Sequence, residues 1–521
     1  MSTSGASRVS RSLSGPFAGG FLPLPTLAHV IRRSAALALV SGLAVVACSS
    51  DDAADSGAAN NPSSAESAGA TVDPAVAGDA ALRDPRPRFR YPEAPPAPPA
   101  DQPNPEADEA IDRIVDGITR GFFDAGGVTL LRESGDVRHG WFISDMLRFS
   151  GFDDAQLLAD TFEDLTGVDL ADDPDSERRP WLSVTNHLMA WDTVAYDGYV
   201  DDKAGLFVPL EGGWAPFFAD DDAEIDWRLV SWGGVFIDDR PLGATERCAG
   251  GCIPALDDFP TTDASGGDWY PDERTVFGIE WNGQSVAIPL NVAEIHEMFN
   301  FTLGGRRLAV PYCTLCGSAQ AYLTDQPDGS PVEGAAEVPV LRTSGLLTQS
   351  NKVMYDLVTS SVFDTFTGRA VSGPLLDAGV ELEEITVVRS TWAEWKASHP
   401  DTRIVAEDGG LGRSYPLDPL GGRDLDGPIF PIGEADERLD VQELIVGIVL
   451  DDGTALAFPS EAASAVLLAG GAVELGGVEL TESGDGLVAT VTSTGETIAA
   501  HEAFWFAWSQ FHPDTELWLP T

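Results

Sequence analysis

The chain has 521 residues, 83 acidic against 31 basic, for a formal net charge of −52. That charge excludes a nucleic-acid binder, because phosphates would be repelled rather than neutralised, and it argues against adsorption to an anionic membrane face. A hydrophobic fraction of 43% with 13 Trp and 24 Phe excludes a disordered chain, and the length leaves room for about three domains of ~150 residues.

Arg32-Arg33 precedes a short apolar run that ends at Cys48. A charged n-region, a short h-region and small residues before the cut make a secretory signal, too short to span a bilayer. Val45-Val46-Ala47-Cys48 is similar to a bacterial lipobox, so residues 1–47 read as a lipoprotein signal peptide and Cys48 as the lipidated first residue of the mature chain. The plainer alternative is an ordinary signal peptide whose cleavage leaves a cysteine. Ser49, standing where Asp would retain the protein at the inner membrane, favours the outer membrane in a two-membrane cell. Residues 1–29 are long for an n-region, which points to a start assigned too far upstream. The expected address is the cell envelope, with membrane contact through the lipid anchor only. Residues 48–109 read as a disordered acidic and Pro-rich tether, with nine prolines between positions 85 and 105.

Residues 110–245 read as mainly helical. Apolar residues recur at i, i+3 and i+4 over 111–123, 137–149 and 155–165, with acidic or glycine breaks between. Trp141, Phe142, Phe149, Trp181, Trp191, Trp214 and Trp227 are scattered as core aromatics are, rather than set in a sugar-binding platform. Asp172-Asp173-Pro174-Asp175 and Asp220-Asp221-Asp222 fit no EF-hand loop and read as solvated acidic turns.

Beyond Cys48, four cysteines form two close pairs, Cys248-Ala-Gly-Gly-Cys252 and Cys313-Thr-Leu-Cys316. In an exported protein a local disulfide is the plain reading of each. A tetrathiolate metal site fits the count, but the spacing between the pairs is too loose to claim it. Cys313 and Cys316 are framed by Leu308-Ala-Val-Pro-Tyr312 and Gly317-Ser-Ala-Gln-Ala-Tyr322, both strand-like, and followed by Gly317. A Cys-x-x-Cys-Gly turn between strands has the shape of a metal knuckle, whereas a thioredoxin-type motif would open a helix. Its ligand set would suit zinc, iron or copper and does not choose among them. Covalent haem attachment fails because residue 317 is not His.

A self-similarity then separates scaffold from chemistry. Trp392-x-x-Trp395-x-x-x-His399-Pro-Asp-Thr402 recurs as Trp505-x-x-Trp508-x-x-x-His512-Pro-Asp-Thr515, at an offset of 113. Val276-Phe-Gly-Ile with Asn282-Gly283 and Pro289 matches Ile445-Val-Gly-Ile with Asp452-Gly453 and Pro459, each a hairpin signal. Leu303-Gly-Gly likewise recurs as Leu475-Gly-Gly. The first copy carries about 59 extra residues and the Cys313/Cys316 turn. The expected class is therefore α+β: a helical N-terminal domain, then a mixed α/β domain built from an unequal internal duplication rich in β-hairpins. Residues 246–405 form the larger copy and 406–521 the smaller. His399 and His512 occur in both copies and read as helix-ending structure. His296 occurs only in the larger copy, in the step His296-Glu297, and is a candidate metal ligand or general base beside Cys313 and Cys316, with Glu297 as a further ligand and a satisfied structural histidine as the equal alternative for His296.

From about Cys252 onward the chain resembles the bacterial domain-of-unknown-function family 3179. The residues that carry the resemblance are Ile253-Pro-Ala-Leu-Asp257, His296-Glu297, Pro311-Tyr-Cys-Thr-Leu-Cys-Gly317, Ser344-Gly-Leu-Leu347, Ser350-Asn351, Met354-Tyr-Asp356, Gly368, Gly373-Pro374 and the two Trp/His-Pro-Asp-Thr segments. The family has no established activity, but some members are described as selenoproteins, which implies redox chemistry at the motif cysteines. Ser361-Val-Phe-Asp-Thr365 departs from the Ser-Leu-Trp-Ser-Gln usual there. Asn351, Tyr355 and Asp356 are candidates to line the site, with local turn-building as their alternative role. The expectation is an exported lipoprotein with a thiol or metal redox site at Cys313 and Cys316, acting on an envelope thiol, disulfide or metal. The alternative is a non-enzymatic scaffold or binding protein whose knuckle is a structural disulfide or zinc site. Cys248 and Cys252 are the further disulfide candidates.

Overall fold

In the computed structural model, residues 89–520 are described, apart from 249 and 424–426. The signal peptide, Cys48 and the tether as far as residue 88 lie outside the described residues. Among the described residues, 105–229 hold helices without strands, and from Val230 onward strands and short helices mix, an α+β arrangement.

The helical part opens with Pro105–Thr119, where Asn104 accepts from the Ala107 amide and Pro105 fills the first turn. Gly140–Phe149 and Phe152–Thr166 fall where the apolar period placed them. Ala125–Glu133 was hidden from that pattern by Gly126-Gly127. The second glycine is there for closeness: a Cβ on Gly127 would sit 2.7 Å from Ile114 of the preceding helix. Trp141, Phe142, Trp181, Trp214 and Trp227 all enter one buried cluster, so the aromatics are core. The Pro-rich stretch from 89 to 104 does not stand free of this array, as a tether would. Arg138 donates to the carbonyls of Pro99, Ala100 and Gln102, and Trp191 donates to that of Pro92. Prolines leave carbonyls without matching amides, and a neighbouring guanidinium supplies the donors.

The sheets repeat. Thr275–Trp281 pairs antiparallel with Val388–Thr391 and with Gln284–Pro289, which in turn pairs parallel with Arg403–Val405. Leu444–Val449 does the same with His501–Phe504, Ala455–Pro459 and Glu516–Leu517. Even the register recurs, Gly278 facing Val388 and Gly447 facing His501. Both glycines are demanded by a tryptophan, since a Cβ would lie 2.4 Å from the Trp395 ring in one case and 2.2 Å from the Trp508 ring in the other. Each of those indoles donates to the hydroxyl seven residues on, Thr402 at 3.0 Å and Thr515 at 3.1 Å. His399 and His512 end the two helices with their rings against Trp395 and Trp508.

A second pair of sheets repeats as well. Met298–Leu303 and Arg306–Cys313 turn through Gly304-Gly305, and Val473–Leu475 and Val478–Ser483 through Gly476-Gly477, all four glycines at positive φ. The difference lies further on. Gly486–Val491 reaches Thr497–Ile498 through a short turn, whereas Ala321–Leu323 reaches Glu383–Ile385 only after residues 324–382. That insert forms the hairpin Leu341–Thr348/Asn351–Asp356, flanked by Val230–Trp232 and Val362–Phe363. Its Val353, Tyr355 and Val362 join the buried cluster of the helical array. The insert thus ties helices to sheets.

Candidate functional site

Cys313 ends the strand Arg306–Cys313, and Cys316 lies in the turn before Ser318–Ala319, with Cys313 paired to Ser318 across it. No helix follows the motif. Gly317 closes the turn at φ +62, and a Cβ there would come within 3.0 Å of the Phe504 ring. The Phe504 amide donates to the Cys316 carbonyl at 2.8 Å, so the strand His501–Phe504 clamps the turn from outside.

Both thiols are free and buried. Cys316 Sγ lies 3.2 Å from the Ser350 carbonyl oxygen, and Cys313 Sγ lies 3.9 Å from the same oxygen. Ser350 reaches them from the tip of the inserted hairpin, where Thr348 faces Asn351 and Gln349 adopts φ +51. Ser350 Oγ in turn donates to Gln510 Oε1 at 2.7 Å, on the last helix of the chain. Burial in the cluster of Phe366, Trp505 and Trp508 would raise any thiol. For Cys313 that push is overcome by the Cys316 S–H, the Lys352 ammonium and the Lys352 amide, and it ends below its ordinary value despite the opposing Glu297 carboxylate. For Cys316 burial, the hydrogen bond it gives Cys313 and the charge there act together and hold it well above.

Lys352 and Glu297 are built in. Lys352 Nζ donates to the Glu297 carbonyl at 2.6 Å, to Glu297 Oε2 at 3.1 Å and to the Tyr312 carbonyl at 3.1 Å. Glu297 Oε1 accepts from Thr314 Oγ1, inside the Cys-x-x-Cys turn, at 3.0 Å. Glu297 sits at φ +50 as the residue after the helix Leu290–His296, a conformation that costs a non-glycine residue about 1 kcal/mol or more. A cavity of about 1840 Å³ opens beside this group, lined by Cys313, Thr314, Glu297 and Lys352 but not by Cys316.

Of the residues marked out by sequence, Cys313, Cys316 and Glu297 come together. His296 turns away: its Nδ1 bonds the Pro254 carbonyl at 2.7 Å and its Nε2 the Tyr415 hydroxyl at 2.8 Å. Burial holds it neutral, with a pKa lowered to about 4. Among the described residues, Cys313, Cys316, His296 and Glu297 do not converge on a common metal-ligand position. Tyr355 Oη donates to the Asp238 carbonyl, and Asp356 accepts from Val340 and Thr359, so both build structure. Asn351 is buried with neither amide atom hydrogen-bonded. In the departing segment, Thr365 donates to the Lys352 carbonyl at 2.6 Å and so backs the strand that carries the lysine. Cys248 and Cys252 are joined as a disulfide on the rim of the same cavity. Their sulfurs gather with Asp238, but that carboxylate is already engaged by Arg240, Arg342 and the Ala255 amide. Lys352 and Ser350 were not singled out for chemistry. The available signal was composition: Lys352 is one of only three lysines, with Lys203 and Lys396, in a chain that otherwise uses arginine.

A family model described as a protein of unknown function (DUF3179) matches residues 250–474, which contain the cysteine turn, Glu297, Ser350 and Lys352 and stop short of the closing Trp505 helix. No curated protein and no solved structure matches the chain.

Proposed function

We propose that this chain, whose residues 250–474 belong to the DUF3179 family, is an exported, lipid-anchored thiol–disulfide oxidoreductase of the cell envelope. The observation that carries the reading is the asymmetry of the pair: Cys313 lines the cavity under a lysine, and Cys316 is held behind it on the Ser350 carbonyl. A thiolate is the attacking species and a buried thiol the resolving one. Cys313 thiolate attacks one sulfur of a substrate disulfide and expels the other as a thiolate. Cys316, giving up its proton, then attacks Cys313 in the mixed disulfide and frees the second substrate thiol. Two electrons pass from the pair to the substrate, and the reverse sequence oxidises a dithiol. Lys352 stabilises the attacking thiolate, while Glu297 and Thr314 position the lysine and the turn.

The wider reading is a helical N-terminal domain followed by an unequal internal duplication, with Cys48 as the lipidated residue and an envelope thiol or disulfide as partner. The repeated ladders and paired glycine–tryptophan contacts support the duplication. A second reading, a non-enzymatic scaffold, draws on the packing of both cysteines inside an aromatic cluster. The two separate in one experiment. Cys316→Ser incubated with oxidised glutathione should accumulate a stable adduct of one glutathione on Cys313, seen by peptide mass spectrometry, and Cys313→Ser should accumulate none. Absence of the adduct in folded Cys316→Ser protein favours the scaffold.

A further inference from the structure

The cavity beside Cys313 has a second charged wall, contributed by the helical array. Arg148 reaches it from the helix Gly140–Phe149. Its Nε donates to the Trp232 carbonyl at 2.7 Å, and its guanidinium carbon lies 4.5 Å from the Trp181 ring centroid, 5.2 Å from Trp232 and 5.7 Å from Phe430. No carboxylate among the described residues pairs with it. The other guanidiniums withdrawn from water each have one: Arg138 holds Asp136, Arg240 holds Asp238, Arg306 holds Asp325 and Arg342 holds Asp257. In a chain with 83 acidic side chains against 31 basic, an unmatched guanidinium in an aromatic box runs against the composition. Three rings and one carbonyl answer only part of its donor capacity, and desolvation pulls its pKa down to about 10.

A guanidinium without a carboxylate, set among three aromatic rings on the cavity wall, fits a flat or apolar body that carries an anion. We propose that Arg148 is the anchor for the carboxylate of a low-molecular-weight ligand, whose apolar or aromatic body lies along Trp181, Trp232 and Phe430. This deepens the thiol reading and rests on it for the ligand's reactive end, a thiol or disulfide that reaches Cys313 in the same cavity. The site selects small anionic disulfides over neutral or cationic ones.

Two aromatic disulfides test this in the full chain, in a Cys48→Ser background so that only Cys313 and Cys316 supply free thiols. One is the dianionic 5,5′-dithiobis(2-nitrobenzoate) and the other the neutral 4,4′-dithiodipyridine. Arg148→Met should slow the first reagent about tenfold or more, as loss of a charged hydrogen bond implies, and leave the second within about twofold. Arg148→Lys should recover part of the rate. Equal rates with both reagents in wild type and Arg148→Met overturn the anion site while leaving the thiol reading intact. A loss common to both reagents that Arg148→Lys does not recover overturns it as well. If neither reagent labels folded wild type, the thiol reading fails instead. Benzoate titration followed by tryptophan fluorescence then decides the anion site alone: saturable binding lost in Arg148→Met upholds it, and no binding overturns it.

Discussion

Replacing Lys352 with methionine removes the one ammonium that acts on Cys313 and leaves the Glu297 carboxylate facing the thiol without its partner. Two unit charges roughly 5 Å apart at an effective dielectric of about 20 interact by about 3 kcal/mol. At 1.36 kcal/mol per unit, that displaces a thiol titration by about two pH units. The sign is fixed, because a cation favours the thiolate and its loss raises the thiol. The assay is the pH profile of Cys313 alkylation by iodoacetamide, a neutral reagent that reports the thiolate fraction. In Lys352→Met the inflection should move up by one to two units, and the rate near neutral pH should fall about tenfold or more. Breaking a buried pair costs about 3–5 kcal/mol of stability, so a second variant guards against unfolding. Glu297→Gln removes the opposing charge and should move the inflection down. An unmoved inflection in folded Lys352→Met, or an upward shift in Glu297→Gln, would refute the electrostatic account of the thiol.

Other outcomes follow from the same contacts. Gly278→Ala and Gly447→Ala each drive a methyl into a tryptophan ring. Each should cost about 1–3 kcal/mol by urea unfolding, and a loss confined to one would contradict their equivalence. Arg342→Met leaves Asp257 buried without its guanidinium and should destabilise by about 3–5 kcal/mol in the same assay. His296, neutral in the fold with a pKa of about 4, titrates near 6.5 when unfolded. Its contribution is complete above pH 6.5 and is lost as pH falls toward 4, by roughly 2 kcal/mol at pH 5. His296→Gln should therefore flatten the difference in unfolding free energy between pH 7 and pH 5 by that amount.

How much was legible in the residues depended on the range of the contacts. Local patterns carried far. The helices Gly140–Phe149 and Phe152–Thr166 follow from apolar spacing, and the repeated hairpins follow from their glycine turns. The repeat also sorted the histidines, since His399 and His512 end equivalent helices on equivalent tryptophans. What failed was the step from neighbours in sequence to neighbours in space. His296 and Glu297 are adjacent, yet a helix ends between them and Glu297 takes a left-handed conformation. The carboxylate therefore faces the cysteine turn while the imidazole faces Tyr415, 119 positions away. Ser350 and Lys352 reach the thiols only because the insert folds back as a hairpin, and no spacing within the cysteine motif encodes that. Asp356 looked like site lining and proved a turn-builder, the role its side-chain chemistry favours locally.

The most direct test of the account is the redox state of Cys313 and Cys316 in the full-length protein equilibrated across reduced and oxidised glutathione mixtures. Free thiols are counted by alkylation and the linkage is identified by peptide mapping. A reversible Cys313–Cys316 disulfide, with a midpoint within the glutathione range and Cys248–Cys252 unchanged, is the result expected. A pair that stays dithiol in fully oxidised buffer, with no glutathione adduct on Cys313, would contradict it.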